Sequence, residues 1–98
     1  MAFAVGYVPA ARGHLGELTA AERAVILDAV DCQLVNEPTV ETRNRKPLLP
    51  NLMATWELRV GCFRVFYDVD EEQQTVSVTA IGRKIHNVLT IGGEPVQL

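Results

Sequence analysis

Between residues 56 and 82 apolar and polar side chains alternate with a period of two, as Trp-Glu-Leu-Arg-Val, Phe-Arg-Val-Phe-Tyr and Thr-Val-Ser-Val-Thr-Ala-Ile-Gly. The runs are rich in β-branched and aromatic residues and are broken at Gly61-Cys62 and by the acidic and amide stretch 70–74. That pattern predicts three consecutive antiparallel strands, a meander. With Gly61-Cys62 as a two-residue turn, Val60 faces Phe63, Leu58 faces Val65 and Trp56 faces Tyr67, which gives one apolar face. The other face carries Glu57, Arg59, Arg64 and Phe66, joined by Ser77, Thr79 and Ile81 if Tyr67 pairs with Val78. Arg59 then lies directly opposite Arg64, an unfavourable pairing of like charges. It calls either for a neutralising carboxylate, with Glu57 the nearest, or for an anion.

Elsewhere the period is that of a helix. Thr19-Ala-Ala-Glu22 is a capping box, which predicts a helix over residues 20–35, stopped before Glu37-Pro38 because the residue preceding proline leaves the α region. Ile26, Leu27, Val30 and Leu34 form its main apolar stripe and Ala21, Val25, Ala29 and Cys32 a weaker second one. Either the second stripe is ordinary core with a few exposed alanines, or something else covers it: a short helix over residues 10–15 or a partner protein. Residues 2–8 read as a strand ended by Pro9. Residues 36–54 lose all periodicity, and a connection of that length is usually functional or disordered. Residues 83–89 read as a helical turn and residues 91–98 as a turn plus a short extended segment. The expected fold class is α+β, a small antiparallel sheet of the N-terminal strand and the meander packed against two helices.

At 98 residues the chain makes a single domain, residues 1–98, with one core. The net charge of −3 counts against a dedicated nucleic-acid binder, yet the bases gather at Arg43, Arg45, Lys46, Arg59, Arg64, Arg83 and Lys84, apart from the acids. Cys32 and Cys62 have neither metal-ligand spacing nor a redox pairing and read as free thiols. The opening residues lack a basic leader region, and no stretch approaches the roughly 20 apolar residues of a membrane span. The reading is cytoplasmic, with no membrane partner and no cofactor or metal.

Three basic groups carry the candidate chemistry: the loop at Arg43, Arg45 and Lys46; the strand pair Arg59 and Arg64; and Arg83-Lys84. If Phe63 faces Gly82, all three converge on one rim, the electrostatic footprint of a nucleic-acid backbone, with Phe66 as a stacking surface for a base. The plainer reading is a solvated sheet face with scattered cations, a surface histidine at His86, and Glu57 as an ion-pair partner of its arginine neighbours.

The run Leu58-Arg-Val-Gly-Cys-Phe-Arg-Val-Phe-Tyr67, its acidic turn, the strand ending Ala80-Ile81-Gly82 and the basic pair after it resemble the RelE/ParE family of toxins from toxin–antitoxin systems. The resemblance extends to the first strand and the helical pair, and so covers most of the chain. It implies either a ribosome-dependent mRNA endoribonuclease or a toxin that inhibits DNA gyrase without catalysis; a third possibility is a lapsed toxin that only binds its antitoxin. Under the nuclease reading Arg64 matches the arginine at the scissile phosphate, and Lys84, or Arg83 beside it, stands where a second phosphate-stabilising arginine is found. His86 lies close to a catalytic histidine of other members, and Lys46 sits where one branch has an acid–base glutamate. Arg43, Arg45, Arg59, Arg83 and Phe66 would hold flanking RNA. The chain departs from the pattern at Glu57, where a basic residue is expected, and near Thr90, where the C-terminal tyrosine of some members has no counterpart. The implied reaction is metal-free attack of the RNA 2′-hydroxyl on the adjacent phosphate, and the implied partners are a cognate antitoxin with mRNA on the ribosome, or gyrase.

Overall fold

A computed structural model of the protein describes residues 2–51 and 53–97; Leu98, the last residue of the predicted extended tail, lies outside them. In chain order the elements are β1 (Ala4–Tyr7), α1 (Pro9–Gly16), α2 (Ala20–Leu34), β2 (Arg45–Pro47), β3 (Trp56–Val60), β4 (Phe63–Asp70), β5 (Thr75–Ile85), β6 (Val88–Ile91) and β7 (Glu94–Val96). The strands form one sheet in the order β2-β3-β4-β5-β6-β7, with β1 parallel to the first part of β5. Both helices lie on one face.

Local signals set the helices. Pro9, which ends the first strand, opens α1, where its missing N–H costs nothing and its φ already suits a helix. Thr19 and Glu22 make the reciprocal capping box of α2: the Thr19 hydroxyl accepts from Glu22 N–H at 3.1 Å and Glu22 accepts from Thr19 N–H at 3.0 Å. Ile26, Val30 and Leu34 of the predicted stripe are fully buried, but Leu27 is 39% exposed. The stripe is therefore narrower than the sequence suggests, because α2 lies on the sheet along one line of i, i+4 contacts.

The first hairpin keeps the predicted register, Trp56 to Tyr67, Leu58 to Val65 and Val60 to Phe63, with Gly61 at φ 60° in the turn. These six residues pack against α1 and α2 in the main core, where the Trp56 and Tyr67 rings stack with centroids 6.2 Å apart. Tyr67 is fully buried and its hydroxyl donates to Pro38 O at 2.7 Å, fastening the start of the long connection to the sheet.

The second hairpin departs from the prediction. Tyr67 does pair with Val78, but an irregularity between Phe66 and Tyr67 shifts the register, so that Phe66 opposes Ala80, Arg64 opposes Gly82 and Phe63 opposes Arg83. Because side chains alternate across a strand, a one-residue shift exchanges the two faces. Ile81, expected on the outer face, joins the main core. Arg83, expected beside Arg64, points to the helix side.

Residues 83–89 are not a helical turn. β5 continues to Ile85, and His86 and Asn87, at φ 51° and 65°, form a two-residue turn into β6. Positive φ at both turn residues matches the right-handed twist of the flanking strands. The tail repeats the device: Gly92 and Gly93, at φ 61° and 81°, turn β6 into β7. The connection over residues 36–54 likewise contains β2, paired antiparallel with β3. On the face away from the helices a second small core forms from Ala54, Phe66 and Ala80, covered by Leu48, Met53, Leu89 and Ile91.

Candidate functional site

The face of the sheet opposite the helices carries the charged residues that strand parity and register bring together. Lys46 on β2 opposes Glu57 on β3, Arg59 opposes Arg64 on β4, and Lys84 on β5 lies two residues beyond Gly82, the partner of Arg64. Cross-strand diagonal neighbours of this kind sit about 7–8 Å apart, within reach of long side chains. A cleft of 370 Å³ opens on this face, lined by Glu57, Lys84, Asn87 and Gln97 over an apolar bed of Leu48 and Leu89.

Arg64 is held tightly. Its side chain is 12% exposed, and its Nη1 donates to Gly61 O at 2.8 Å and Phe63 O at 2.9 Å, so the guanidinium is anchored across the β3–β4 turn. Its Nε lies 3.9 Å from Glu57 Oε1. The predicted repulsion between Arg59 and Arg64 is thus answered in part by Glu57, while Arg59 is exposed and makes no ion pair among the described residues. Lys84 is exposed, Lys46 is half-buried, and His86 is exposed at the tip of the β5–β6 hairpin, outside the cleft lining.

Three of the sequence-derived candidates sit elsewhere. Arg45 is buried, at 7% exposure, with Nε on Val40 O and Nη1 on Gln33 O; it ties β2 to the end of α2 and has no surface to offer RNA. Phe66 is fully buried in the second core and presents no ring to a base. Arg83 leaves the cation group for the helix side, where its Nη2 donates to Glu22 at 2.8 Å and its guanidinium lies 5.0 Å over the Phe63 ring. Hydrogen bonding from Thr19 N–H, with the Arg83 charge adding to it, holds the Glu22 carboxyl below its ordinary value. Arg43 is exposed in the segment before β2.

Two features escape pattern reading. Asn87 enters the cleft lining because β6 exists, and the only sequence signal is an asparagine able to take positive φ. On the helix side a cleft of 260 Å³ is lined by His14, Glu17, Leu18 and Arg83, and His14 Nδ1 accepts from Ile81 N–H at 3.1 Å. No group of three or more His, Cys, Asp or Glu able to hold a metal ion is present among the described residues. No helix among them is long and apolar enough to cross a membrane.

No family model matches the chain, and no curated protein does. Among solved structures, a chain of the toxin–antitoxin complex RelBE2 from Mycobacterium tuberculosis is similar at 27% sequence identity and a TM-score of 0.74, covering 86% of this chain and 100% of that chain. The two helices on one face, the mostly antiparallel sheet and this likeness together give the chain a RelE-like toxin fold.

Proposed function

We propose that the chain is the toxin of a toxin–antitoxin pair and that it cleaves mRNA on the ribosome by metal-free attack of the 2′-hydroxyl on the neighbouring phosphate. The observation that carries this reading is the gathering of Lys46, Arg59, Arg64 and Lys84 by strand register on the open face of a RelE-like toxin fold, beside a cleft walled by Lys84 and large enough for a nucleotide. Charge that builds on a pentacoordinate phosphorus is best met by cations already in place. Arg64 suits that role: Nη1 is held by two backbone carbonyls, which fixes the guanidinium, and its Nε and Nη2 edge donates no hydrogen bond among the described residues, facing Glu57 at 3.9 Å. Lys84 supplies a second charge from the cleft wall, and Lys46, Arg59 and Arg43 hold flanking backbone.

A second reading, a non-catalytic toxin acting on gyrase, draws support from Glu57, which places a negative charge amid these cations. Expression of the chain alone, with transcriptome-wide mapping of mRNA 5′ ends, separates the two. New codon-linked ends that vanish in Arg64→Ala support the nuclease; intact mRNA with a DNA-damage response supports gyrase. For the antitoxin, the second stripe of α2, where Val25 is 54% exposed and Ala29 one turn on is half-buried, is the apolar surface that serves as a docking place. The similar chain was itself solved in a toxin–antitoxin complex. Co-purification with the product of the neighbouring gene tests this, and a chain that stays unpartnered beside it contradicts it.

A further inference from the structure

We infer that Glu57 is the general base of the open-face cleft, the group that takes the proton from the attacking 2′-hydroxyl. This rests on the nuclease reading above. It differs from what the sequence resemblance implies, which gives proton transfer to His86 or Lys46.

The cleft itself makes the choice. Of the residues that line it, Glu57 and Lys84 are the two with ionisable side chains, and Glu57 is its one carboxylate among the described residues. His86 and Lys46 are both outside the lining. The Glu57 side chain is 15% exposed, yet its carboxylate accepts no hydrogen bond among the described residues, and no side-chain oxygen there is both sealed from solvent and unpartnered. Its oxygens therefore keep lone pairs that open towards the cleft. Behind it stands Arg64, with Nε 3.9 Å from Oε1, so a phosphate seated on the Nε and Nη2 edge of Arg64 would come to rest beside the Glu57 carboxylate. Lys46 faces Glu57 from β2, Arg59 follows it on β3, and Lys84 shares the cleft from β5. A carboxylate ringed by fixed cations can accept a proton while the phosphate charge nearby is borne by its neighbours.

The step balances as a transesterification. The 2′-hydroxyl proton passes to Glu57, the bond from the 2′-oxygen to phosphorus forms, and the bond from phosphorus to the 5′-oxygen breaks. The leaving 5′-oxygen takes a proton from Lys84, leaving a 2′,3′-cyclic phosphate and a free 5′-hydroxyl. Nothing is oxidised or reduced.

The test uses translating ribosomes carrying a defined mRNA. Glu57→Gln, which keeps shape and removes the base, lowers the cleavage rate about 10²-fold or more, the usual range for a lost general base. The same variant binds, unchanged or more tightly, a ribosome whose mRNA has a 2′-deoxynucleotide at the scissile position. Glu57→Asp retains part of the rate. Cleavage by Glu57→Gln at the natural rate overturns the assignment, as does parallel loss of binding and rate, which marks a structural role. A natural chain that binds the ribosome and leaves the mRNA whole overturns the nuclease reading, and the base with it, so the two failures are told apart.

Discussion

Tyr67→Phe removes one oxygen from the centre of the molecule and leaves the ring. The ring is fully buried and stacked on Trp56, so its packing should survive the change. What is lost is the 2.7 Å hydrogen bond to Pro38 O, leaving that carbonyl without its donor at a buried proline. An unsatisfied buried acceptor costs about 1–3 kcal/mol. For a domain of this size each kcal/mol moves the melting temperature by about 4–8 °C, so a fall of roughly 5–20 °C is expected by thermal melting followed by circular dichroism. The same side chain sets an alkaline limit. Burial pushes the Tyr67 phenol well above its ordinary value, the Arg45 charge opposing it only in part. Its folded value therefore lies above the unfolded one, so its contribution is complete below about pH 10 and is lost as pH rises from there towards the folded value. A phenolate also has no proton to give Pro38. Tyr67→Phe should lose less stability than the natural chain over that window, with a remainder from Tyr7, whose phenol is raised by burial and then by Asp31. Equal melting temperatures together with superimposable alkaline limbs would refute the reasoning.

The assignment of faces predicts that Lys84→Gln lowers mRNA cleavage about 10²-fold, by analogy with loss of one fixed donor at a developing charge, whereas Arg83→Gln leaves it within a few-fold. Arg83→Gln should cost only about 0–1 kcal/mol, because its ion pair with Glu22 is more than a third exposed on the Arg83 side. Gly82→Ala should cost about 1–3 kcal/mol in denaturant titration, in the manner of overpacked sites: its Cβ would stand 2.8 Å from Thr90 O and 2.8 Å from Ile91 Cγ1, and a backbone oxygen does not yield unless β6 moves. His86→Gly should melt at or above the natural temperature, since a left-handed conformation costs an ordinary residue roughly 1–2 kcal/mol, and should keep its cleavage rate. A large loss of rate there would return His86 to the chemistry.

Where structure is set locally, the sequence discloses it. The capping box at Thr19 and Glu22, the strand-ending Pro9 and the Gly61-Cys62 turn each act within a few residues, and the first hairpin's register follows from that turn. The bulge after Phe66 has no such signature, since no glycine or proline marks it, and one displaced residue is enough to send Arg83 and Ile81 to the opposite face. Phe66 looks solvent-facing by parity, and parity is right; what covers it comes from Leu48, Met53, Leu89 and Ile91, brought in by chain far away in sequence. Arg45 reads as a free cation because its acceptors are backbone carbonyls at Gln33 and Val40, invisible to any pattern of side chains. Glu57 reads as an ion-pair partner of its arginine neighbours; its place in the cleft lining emerges only when the sheet extends to β6 and β7.

The most direct measurement is a cryo-EM reconstruction of the Glu57→Gln chain on a ribosome with mRNA in the decoding site. The account predicts the mRNA backbone across the open face, a phosphate on the Nε and Nη2 edge of Arg64, and the scissile bond flanked by Lys84 on one side and, on the other, by the amide that replaces the Glu57 carboxylate. A chain bound through α1 and α2 with its open face turned away from the mRNA, or a ribosome that does not take up the chain at all, would contradict it.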